Sequence, residues 1–193
     1  LIPDVRTIEE GLVSPVDATI YASGQIKEDS MLQVKSQQIS VTDFLCDDQH
    51  NAKYFVSFYL SPGDYHRFHA PFDLKIENIR YIPGKLFSVR PKIAKKRKVF
   101  LKNERVVLEC TSSRGRIYLV YIAAQNVGKI EINALGNICP RNKRIVECGE
   151  IQTSNFRKGE DMGTFHMGSS VVLLTEEISL KALEFEPIQV GQS

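Results

Sequence analysis

The chain has 193 residues, of which 42% are hydrophobic and 25% charged, the composition of a single globular domain. Its formal net charge of +2 argues neither for nor against a polyanionic partner, and no run of about 18 apolar residues is present that could span a bilayer. The four cysteines contain no C-x-x-C pair. Their spacing therefore fits neither a zinc site nor a compact disulfide framework, and we expect free thiols in or near the core.

Most of the chain has the pattern of short β-strands separated by turns. Ser14–Asp17 has the residues of a turn, and Ser112–Gly115 those of a hairpin turn. Strand character is predicted over Thr19–Ala22, Ser30–Lys35, Tyr54–Leu60, Leu74–Tyr81, Glu104–Cys110, Arg116–Ala123, Val127–Ile132, Val171–Leu174 and Leu180–Ile188. This pattern predicts a mainly β fold, a single compact barrel-like or sandwich-like domain over residues 1–193 with a few short helices.

One segment between the second and third predicted strands favours a helix. Ser40–Leu45 has the residues of a short helix, with Ser40 or Thr42 as its N-cap. The polar segment Asp47–Lys53 that follows is predicted to be a loop in which His50 is exposed. The helix is too short to change the fold class.

The stretch Ser61–Pro71 contains two histidines three residues apart. A helix starting with Ser61 as its N-cap and Pro62 in its first turn would place His66 and His69 on one face. A strand would place them on opposite faces. A metal site needs a third ligand, which is not evident nearby, so no metal is predicted. A structural and a catalytic role for the pair both stay open.

A basic stretch follows the predicted strand Leu74–Tyr81. A solvated loop is the ordinary explanation of such a stretch, and a surface for phosphate groups is the functional one. Aromatic residues do not alternate with the charges as they do in single-strand binders, so we prefer a membrane surface to nucleic acid. The basic residues are Arg90, Lys92, Lys95, Lys96, Arg97 and Lys98.

A Gly-Ser-Ser sequence precedes the strand predicted over Val171–Leu174. Because Gly168 lacks a Cβ, another atom can approach its carbonyl closely, and the Ser169 hydroxyl could attack that carbonyl in an internal acyl shift. Taken alone, the segment is more simply explained as a turn. His166 lies three residues before Ser169, and a strand would point it to the opposite face. We therefore expect a structural role for His166.

Three stretches together resemble the signatures of the phosphatidylserine decarboxylase family. Leu60–Pro71 looks like its histidine signature, Ser14–Ile20 like its aspartate motif and Phe165–Val172 like its self-cleavage motif. Asn103–Val107 and Asn126–Ile130 are also similar to family sequences. The matches occur in the family's order and cover most of the chain.

The resemblance implies that the chain makes its own cofactor. Self-cleavage between Gly168 and Ser169 would give a large chain, 1–168, and a small chain, 169–193. Ser169 would become a pyruvoyl group, which forms a Schiff base with phosphatidylserine and releases carbon dioxide and phosphatidylethanolamine. The small chain would stay bound to the large one through its buried strand.

The resemblance also implies roles for individual residues. Asp17, His69 and Ser169 would act as a triad during self-cleavage, with His69 as the base and Asp17 supporting the imidazolium. His66 would handle the proton in the decarboxylation, with His69 nearby. Without the resemblance, Asp17 would be expected to cap its own backbone in an Asx-turn.

Partners and location follow from the same resemblance. The implied partners are phosphatidylserine, an anionic membrane surface and the chain's own cleaved fragment, and a homodimer is also expected. Nucleic acid is not expected. We expect membrane association, either peripheral or through a segment outside this sequence, and the sequence does not indicate the compartment.

Two alternatives to the decarboxylase remain at this point. The first is a serine hydrolase that uses Asp17, His69 and Ser169 without cleavage, although the sequence lacks the G-x-S-x-G elbow of many such enzymes. The second is a non-catalytic β-domain that binds anionic membranes through the stretch from Arg90 to Lys98.

Overall fold

The residues described in the computed structural model are 8–34, 37–94, 96–125, 130–135, 144–147, 151, 154–165, 169–177 and 187–193. They form a mainly β domain with short helices, as the sequence predicts. None of the helices in these ranges is long and apolar enough to cross a membrane.

The elements are numbered in chain order. The strands are β1 (Ala18–Gln25), β2 (Ser30–Val34), β3 (Gln37–Ser40), β4 (Tyr54–Leu60), β5 (Arg67–His69), β6 (Leu74–Ile82), β7 (Arg105–Ser112), β8 (Gly115–Ile122), β9 (Ile130–Ile132), β10 (Val146–Glu147), β11 (Asn155–Phe156), β12 (Asp161–Phe165), β13 (Ser169–Thr175) and β14 (Pro187–Ile188). The helices are α1 (Val41–Leu45), α2 (Pro91–Ala94) and α3 (Val99–Lys102), and a 3₁₀ turn spans Asn133–Leu135.

Nine strands form one large sheet, in the order β10-β6-β7-β8-β13-β4-β1-β14, with β11 also paired to β6. Strand β13 lies inside this sheet, antiparallel to β4 on one side and to β8 on the other. All seven of its residues are buried. This explains why Val171–Leu174 is an unbroken apolar run, since a strand covered on both faces needs no polar alternation.

A second, smaller sheet packs on one face of the large one. It has the order β5-β12-β9. Its Phe68 ring stacks on Tyr121 of β8 with ring centroids 3.9 Å apart, and Phe165 meets both rings edge-on. The structure confirms the predicted β7–β8 hairpin, the strand β4 and the strand that begins at Leu74. The two sheets lie in layers, as in a sandwich.

The short helix α1 is held by a buried arginine. Ser40 is its N-cap, as predicted, and its side chain accepts a hydrogen bond from the Asp43 amide. Arg105 donates to the carbonyls of Phe44 and Asp43 at 2.8 and 3.0 Å and to those of Leu101 and Asn103. Desolvation lowers the pKa of Arg105 to about 10. The guanidinium thus satisfies carbonyls at the ends of α1 and α3 that helix geometry leaves unpaired.

The expectation that His50 is exposed is wrong. Its side chain is only 10% exposed, and its Nε2 lies 2.9 Å from Oδ1 of Asp29. Burial opposes ionisation of Asp29, but hydrogen bonds from Ser40, His50 and Thr42 outweigh it and lower the pKa of the carboxyl group. The loop is polar, as predicted, but it folds back on the β2–β3 hairpin to reach this carboxylate.

Several other sequence predictions fall partly outside the described residues. Of the strand predicted over Val127–Ile132, the part from Ile130 is confirmed as β9. Of Leu180–Ile188, only Pro187–Ile188 is described, as β14. Two of the four cysteines, Cys46 and Cys110, are described and are free thiols.

Gly163 is the position at which the small sheet depends most on the absence of a side chain. Its φ is +153°, and a Cβ there would collide with the Glu131 carbonyl oxygen and lie 2.5 Å from Cζ of Phe68. We expect Gly163→Ala to lower the free energy of unfolding by about 2–4 kcal/mol, through backbone strain and overpacking. Urea unfolding in a Ser169→Ala background, which keeps chain continuity the same in every sample, measures this.

Gly63→Ala is the matched control, because a Cβ at Gly63 has nothing within 4 Å. It should change the free energy of unfolding by less than about 0.5 kcal/mol. Equal effects of the two substitutions would contradict the packing described for Gly163.

Candidate active site

Ser169 lies at the first position of the central strand β13. It is fully buried and pairs with Leu60 of β4. In the part of the chain that the structure describes, its hydroxyl has no hydrogen-bond partner, which costs a fold about 1–3 kcal/mol for a buried polar group. The hydroxyls of Ser57 and Ser170 are buried in the same way. Gly168 and His166, singled out in the sequence, lie outside the described residues. Ser169 differs from the other two serines in its place, because it begins the strand directly after the Gly168–Ser169 bond.

The segment from Ser61 to His66 is a turn rather than the first turn of a helix. The Ser61 carbonyl accepts from the Asp64 amide at 2.9 Å, and the Asp64 carboxylate accepts from the Ser61 amide at 2.6 Å. The reciprocal contact of a capping box is therefore formed, but Pro62 and Gly63 close a tight turn and the chain then enters β5. A strand is observed only over Arg67–His69, so His69 is its last residue and His66 lies just before it.

His66 stands beside the chain that leads to Ser169. Its carbonyl accepts from the Phe165 amide at 2.9 Å. Its Nδ1 contacts the Asp64 carbonyl, so this nitrogen must carry the proton. The lone pair is therefore on Nε2, which is buried and has no partner among the residues that the structure describes. His66 is thus a second buried polar group whose free atom is a base.

His69 has both ring nitrogens engaged. Nδ1 lies 2.9 Å from the Gly159 carbonyl and donates to it, so Nε2 is again the basic nitrogen. Nε2 lies 3.3 Å from the Tyr65 hydroxyl, and the two rings stack at 5.8 Å. His69 is therefore oriented as a base, but in this conformation its nearest hydroxyl is that of Tyr65 and not that of Ser169.

Asp17 lies at the same end of the sheet. Thr19 of β1 and Ser170 of β13 both pair with Tyr59, on opposite edges of β4. Asp17 and Ser169 precede these two residues in the chain by two positions and one position, so both lie near the same end of β4. The backbone amide of His69 donates to the carbonyl of Pro15 at 2.8 Å, which brings the histidine stretch to the aspartate loop.

The carboxylate of Asp17 also fixes the C-terminal segment. Its Oδ1 accepts from the Val190 amide at 2.8 Å. The Ser14 amide donates to the Gln192 carbonyl at 2.6 Å, and the Gly191 amide donates back to the Ser14 carbonyl at 3.2 Å. Residues 187–193 are thereby attached to the part of the chain that precedes β1.

The four predicted site residues thus converge on one end of the central strands. Ser169 and His66 each present a buried atom without a partner, while His69 and Asp17 are held by other groups. Phe68 and Phe165, both buried, make this environment apolar, which favours reactions that water would quench. In the part of the chain that the structure describes, no three His, Cys, Asp or Glu residues are grouped to hold a metal ion.

These features fit a group built on residue 169. Such a group would occupy the start of a strand paired on both sides. The site has the nucleophile, a base and an apolar wall that conversion of a serine requires.

The basic stretch lies around α2 and α3. Arg90, Lys92, Lys96, Arg97 and Lys98 are exposed, and Lys95 lies outside the described residues. Exposure of these cations is expected both for a solvated loop and for a surface that binds phosphate groups, so it does not distinguish the two explanations.

Sequence reasoning missed Tyr65 and Gly159, the two contacts of the His69 ring. Tyr65 is adjacent to His66 and lies within the histidine signature. That position was the only feature of the sequence that could have indicated a role for Tyr65 at the site. Gly159 is 90 residues from His69 along the chain, and its role is played by a backbone carbonyl, which no residue type reveals.

Comparison with known proteins identifies the family. The model of the family described as phosphatidylserine decarboxylase matches residues 1–193. A phosphatidylserine decarboxylase proenzyme of Marinobacter nauticus is 36% identical over 204 residues, covering 100% of this chain and 70% of that protein. Proenzymes of the same name from Campylobacter jejuni and Helicobacter pylori are 37% and 34% identical, covering 97% and 94% of this chain and 73% and 70% of their own lengths. The chain therefore belongs to the phosphatidylserine decarboxylase family.

Proposed function

We propose that this chain cleaves itself at Gly168–Ser169 and then decarboxylates phosphatidylserine to phosphatidylethanolamine. The observation that carries the proposal is the buried Ser169 hydroxyl, which begins a strand paired on both sides and has no hydrogen-bond partner in the described ranges. The family's proenzyme name supports a processing step.

Self-cleavage begins with proton transfer from Ser169. For this step Nε2 of His69 gives up its contact with the Tyr65 hydroxyl and contacts the Ser169 hydroxyl instead. Nε2 then accepts the hydroxyl proton, and the serine oxygen attacks the Gly168 carbonyl. The Gly168–Ser169 amide bond is replaced by an ester, and the proton passes to the amine. Elimination across Cα and Cβ of residue 169 then releases the Gly168 carboxylate, and loss of the amine as ammonia, with uptake of one water, leaves the pyruvoyl group.

Asp17 supports the charged form of His69 in this step. Its position one strand away from Ser169, beside the loop that the His69 amide contacts, suits a carboxylate that stabilises an imidazolium. Its hydrogen bond from Val190 also keeps it oriented.

In the second reaction a pyruvoyl group at residue 169 would supply a ketone for the substrate amine and an electron sink for the loss of carbon dioxide. The protein orients the substrate and excludes water through Phe68 and Phe165. His66 first accepts on Nε2 the proton that the substrate ammonium loses, and it then delivers that proton to the substrate carbon. Nε2 is the ring atom that the bond of His66 to the Asp64 carbonyl leaves available.

The cleaved small chain, 169–193, stays in place because β13 is hydrogen-bonded on both edges. Strand β14 pairs with β1, and the C-terminal turn bonds to Ser14. We propose that the two chains act as one domain after cleavage.

We also propose that the protein associates with anionic membranes through the exposed cations around α2 and α3. A lipid substrate requires contact with a membrane, and each cation near an anionic surface contributes about 1 kcal/mol to binding. A homodimer remains a prediction from family resemblance.

Separate histidine substitutions test the division of labour. We expect His69→Ala to remain in one piece, since no base accepts the Ser169 proton. His66→Ala should cleave normally and lose about 10²–10⁴-fold in decarboxylation rate, the usual contribution of a positioned acid or base. Denaturing intact mass reports cleavage, and carbon dioxide release from carboxyl-labelled phosphatidylserine reports turnover.

The matched control is His50→Ala, which removes an imidazole near the opposite end of β4 from Leu60. It should cleave and turn over like the unmodified protein. Normal cleavage of His69→Ala would remove His69 from the first step, and full turnover by cleaved His66→Ala would remove His66 from the second. An uncleaved protein whose Ser169 reacts with a serine-directed phosphonate would indicate a hydrolase instead.

Two substitutions of Asp17 separate its structural and chemical roles. Asp17→Asn keeps an acceptor for the Val190 amide, so the free energy of unfolding should change by less than about 0.5 kcal/mol. The loss of charge should slow self-cleavage by about a hundredfold or more. Asp17→Ala should slow cleavage similarly and also cost about 1 kcal/mol of stability. Cleavage of Asp17→Asn at the normal rate, followed by mass spectrometry over time, would leave Asp17 with only the structural role.

A further inference from the structure

A cavity of about 600 Å³ opens among the exposed cations. We call it the basic cavity, and its described lining residues are Leu86, Phe87, Ser88, Lys92, Ile93, Lys96, Arg97 and Gln125. This lining combines an apolar floor with three cations and includes no carboxylate. Ile93, at 39% exposed, is one of the few large apolar side chains on the described surface.

The charges of Lys92 and Lys96 in the basic cavity are available to a ligand. Lys92 and Lys96 are exposed and form no ion pair with any residue that the structure describes. Arg97 lies over the Phe87 ring at 5.6 Å from its centroid, which places a cation directly above the apolar floor. An anionic amphiphile matches this combination, because its headgroup can meet the cations while its first chain carbons contact Leu86, Phe87 and Ile93.

The basic cavity lies at the Ser169 end of the large sheet. Ser170 pairs with Ile122, so Ala123, the next residue, occupies the position across from Ser169. The buried Asn103 amide donates to the Ala123 carbonyl at 2.8 Å and to the Phe87 carbonyl at 2.7 Å. One side chain therefore connects the strand position beside Ser169 to the cavity wall.

The chemistry of the proposed reaction changes the charge of the lipid. Phosphatidylserine carries a phosphate, a carboxylate and an ammonium group, and its net charge is negative at neutral pH. Phosphatidylethanolamine has lost the carboxylate and is neutral overall. A cavity with three cations and no carboxylate among its described lining residues therefore has a higher affinity for the substrate than for the product.

We propose that the basic cavity selects the anionic substrate lipid over the zwitterionic product, so that it captures phosphatidylserine and releases phosphatidylethanolamine. The inference rests on the proposed function, because only that reaction makes the headgroup charge differ between the lipid that arrives and the lipid that leaves. The cations would act on the headgroup, and the apolar floor would act equally on both lipids.

Binding to the uncleaved Ser169→Ala protein tests this without turnover. Dihexanoyl phosphatidylserine and dihexanoyl phosphatidylethanolamine, each below its micelle concentration, are titrated at low and high salt. We expect the serine lipid to bind about five- to tenfold more tightly at low salt, from its one additional negative charge among the cations. The preference should shrink as salt rises.

Two triple substitutions of equal charge make the comparison specific. The first variant combines Lys92→Gln, Lys96→Gln and Arg97→Gln. It should bind the two lipids equally, with an affinity for the ethanolamine lipid within about twofold of that of the Ser169→Ala protein. The control combines Lys27→Gln, Lys53→Gln and Arg114→Gln, which neutralise exposed cations near the Thr175 end of the sheet. The control should keep the preference.

The proposal would be overturned by equal binding of the two lipids, by a preference that survives the cavity substitutions, or by equal loss in both triple variants. Since the assay needs neither cleavage nor turnover, its result is separate from the fate of the proposed function. Failure of the unmodified protein to cleave itself would contradict the proposed function and leave the measured binding preference as it stands.

Discussion

The pairing of β13 on both edges is the constraint on which the rest of the site depends. It buries Ser169 at a strand start, fixes the residue against Leu60 and leaves its hydroxyl without a partner. A strand within a sheet cannot shift by one residue without turning every side chain to the other face. Ser169 is therefore fixed in register by the ladders on the two edges of β13, and the same ladders would hold the small chain after the proposed cleavage.

The two histidines differ in ways that follow from their backbone contacts. Each donates from Nδ1 to a carbonyl, which sets Nε2 as the basic atom in both. His69 approaches the aspartate loop through Pro15, whereas His66 contacts Phe165 on the way to Ser169. Buried polar atoms without a partner lower stability, and among the described residues the Ser169 hydroxyl and Nε2 of His66 are both of this kind.

Sequence patterns predicted the strands and the short helix better than the contacts of the site. Tyr54–Leu60 is a strand over the predicted residues because its aromatic and β-branched content is locally decisive. The Asp64 carboxylate made its capping contact with the Ser61 amide within a turn, since pairing of β5 with β12 overrode helix propensity. His50 was predicted to be exposed, and its partner Asp29 is 21 residues away. Family resemblance singled out Asp17, His66 and His69 as candidates, but no local pattern could show that Gly159 and Tyr65 orient the His69 ring.

The most direct test of the central claim is the intact mass of the freshly purified protein under denaturing conditions. The account predicts two chains, one ending at Gly168 and one comprising residues 169–193. The smaller should be lighter than a chain beginning with serine by the mass of one ammonia, which marks the pyruvoyl group. The contradicting result has two parts. The protein keeps a single mass for the whole sequence after incubation with phosphatidylserine vesicles, and carbon dioxide is nevertheless released from the labelled carboxyl group of the lipid. Turnover would then proceed without the processed residue.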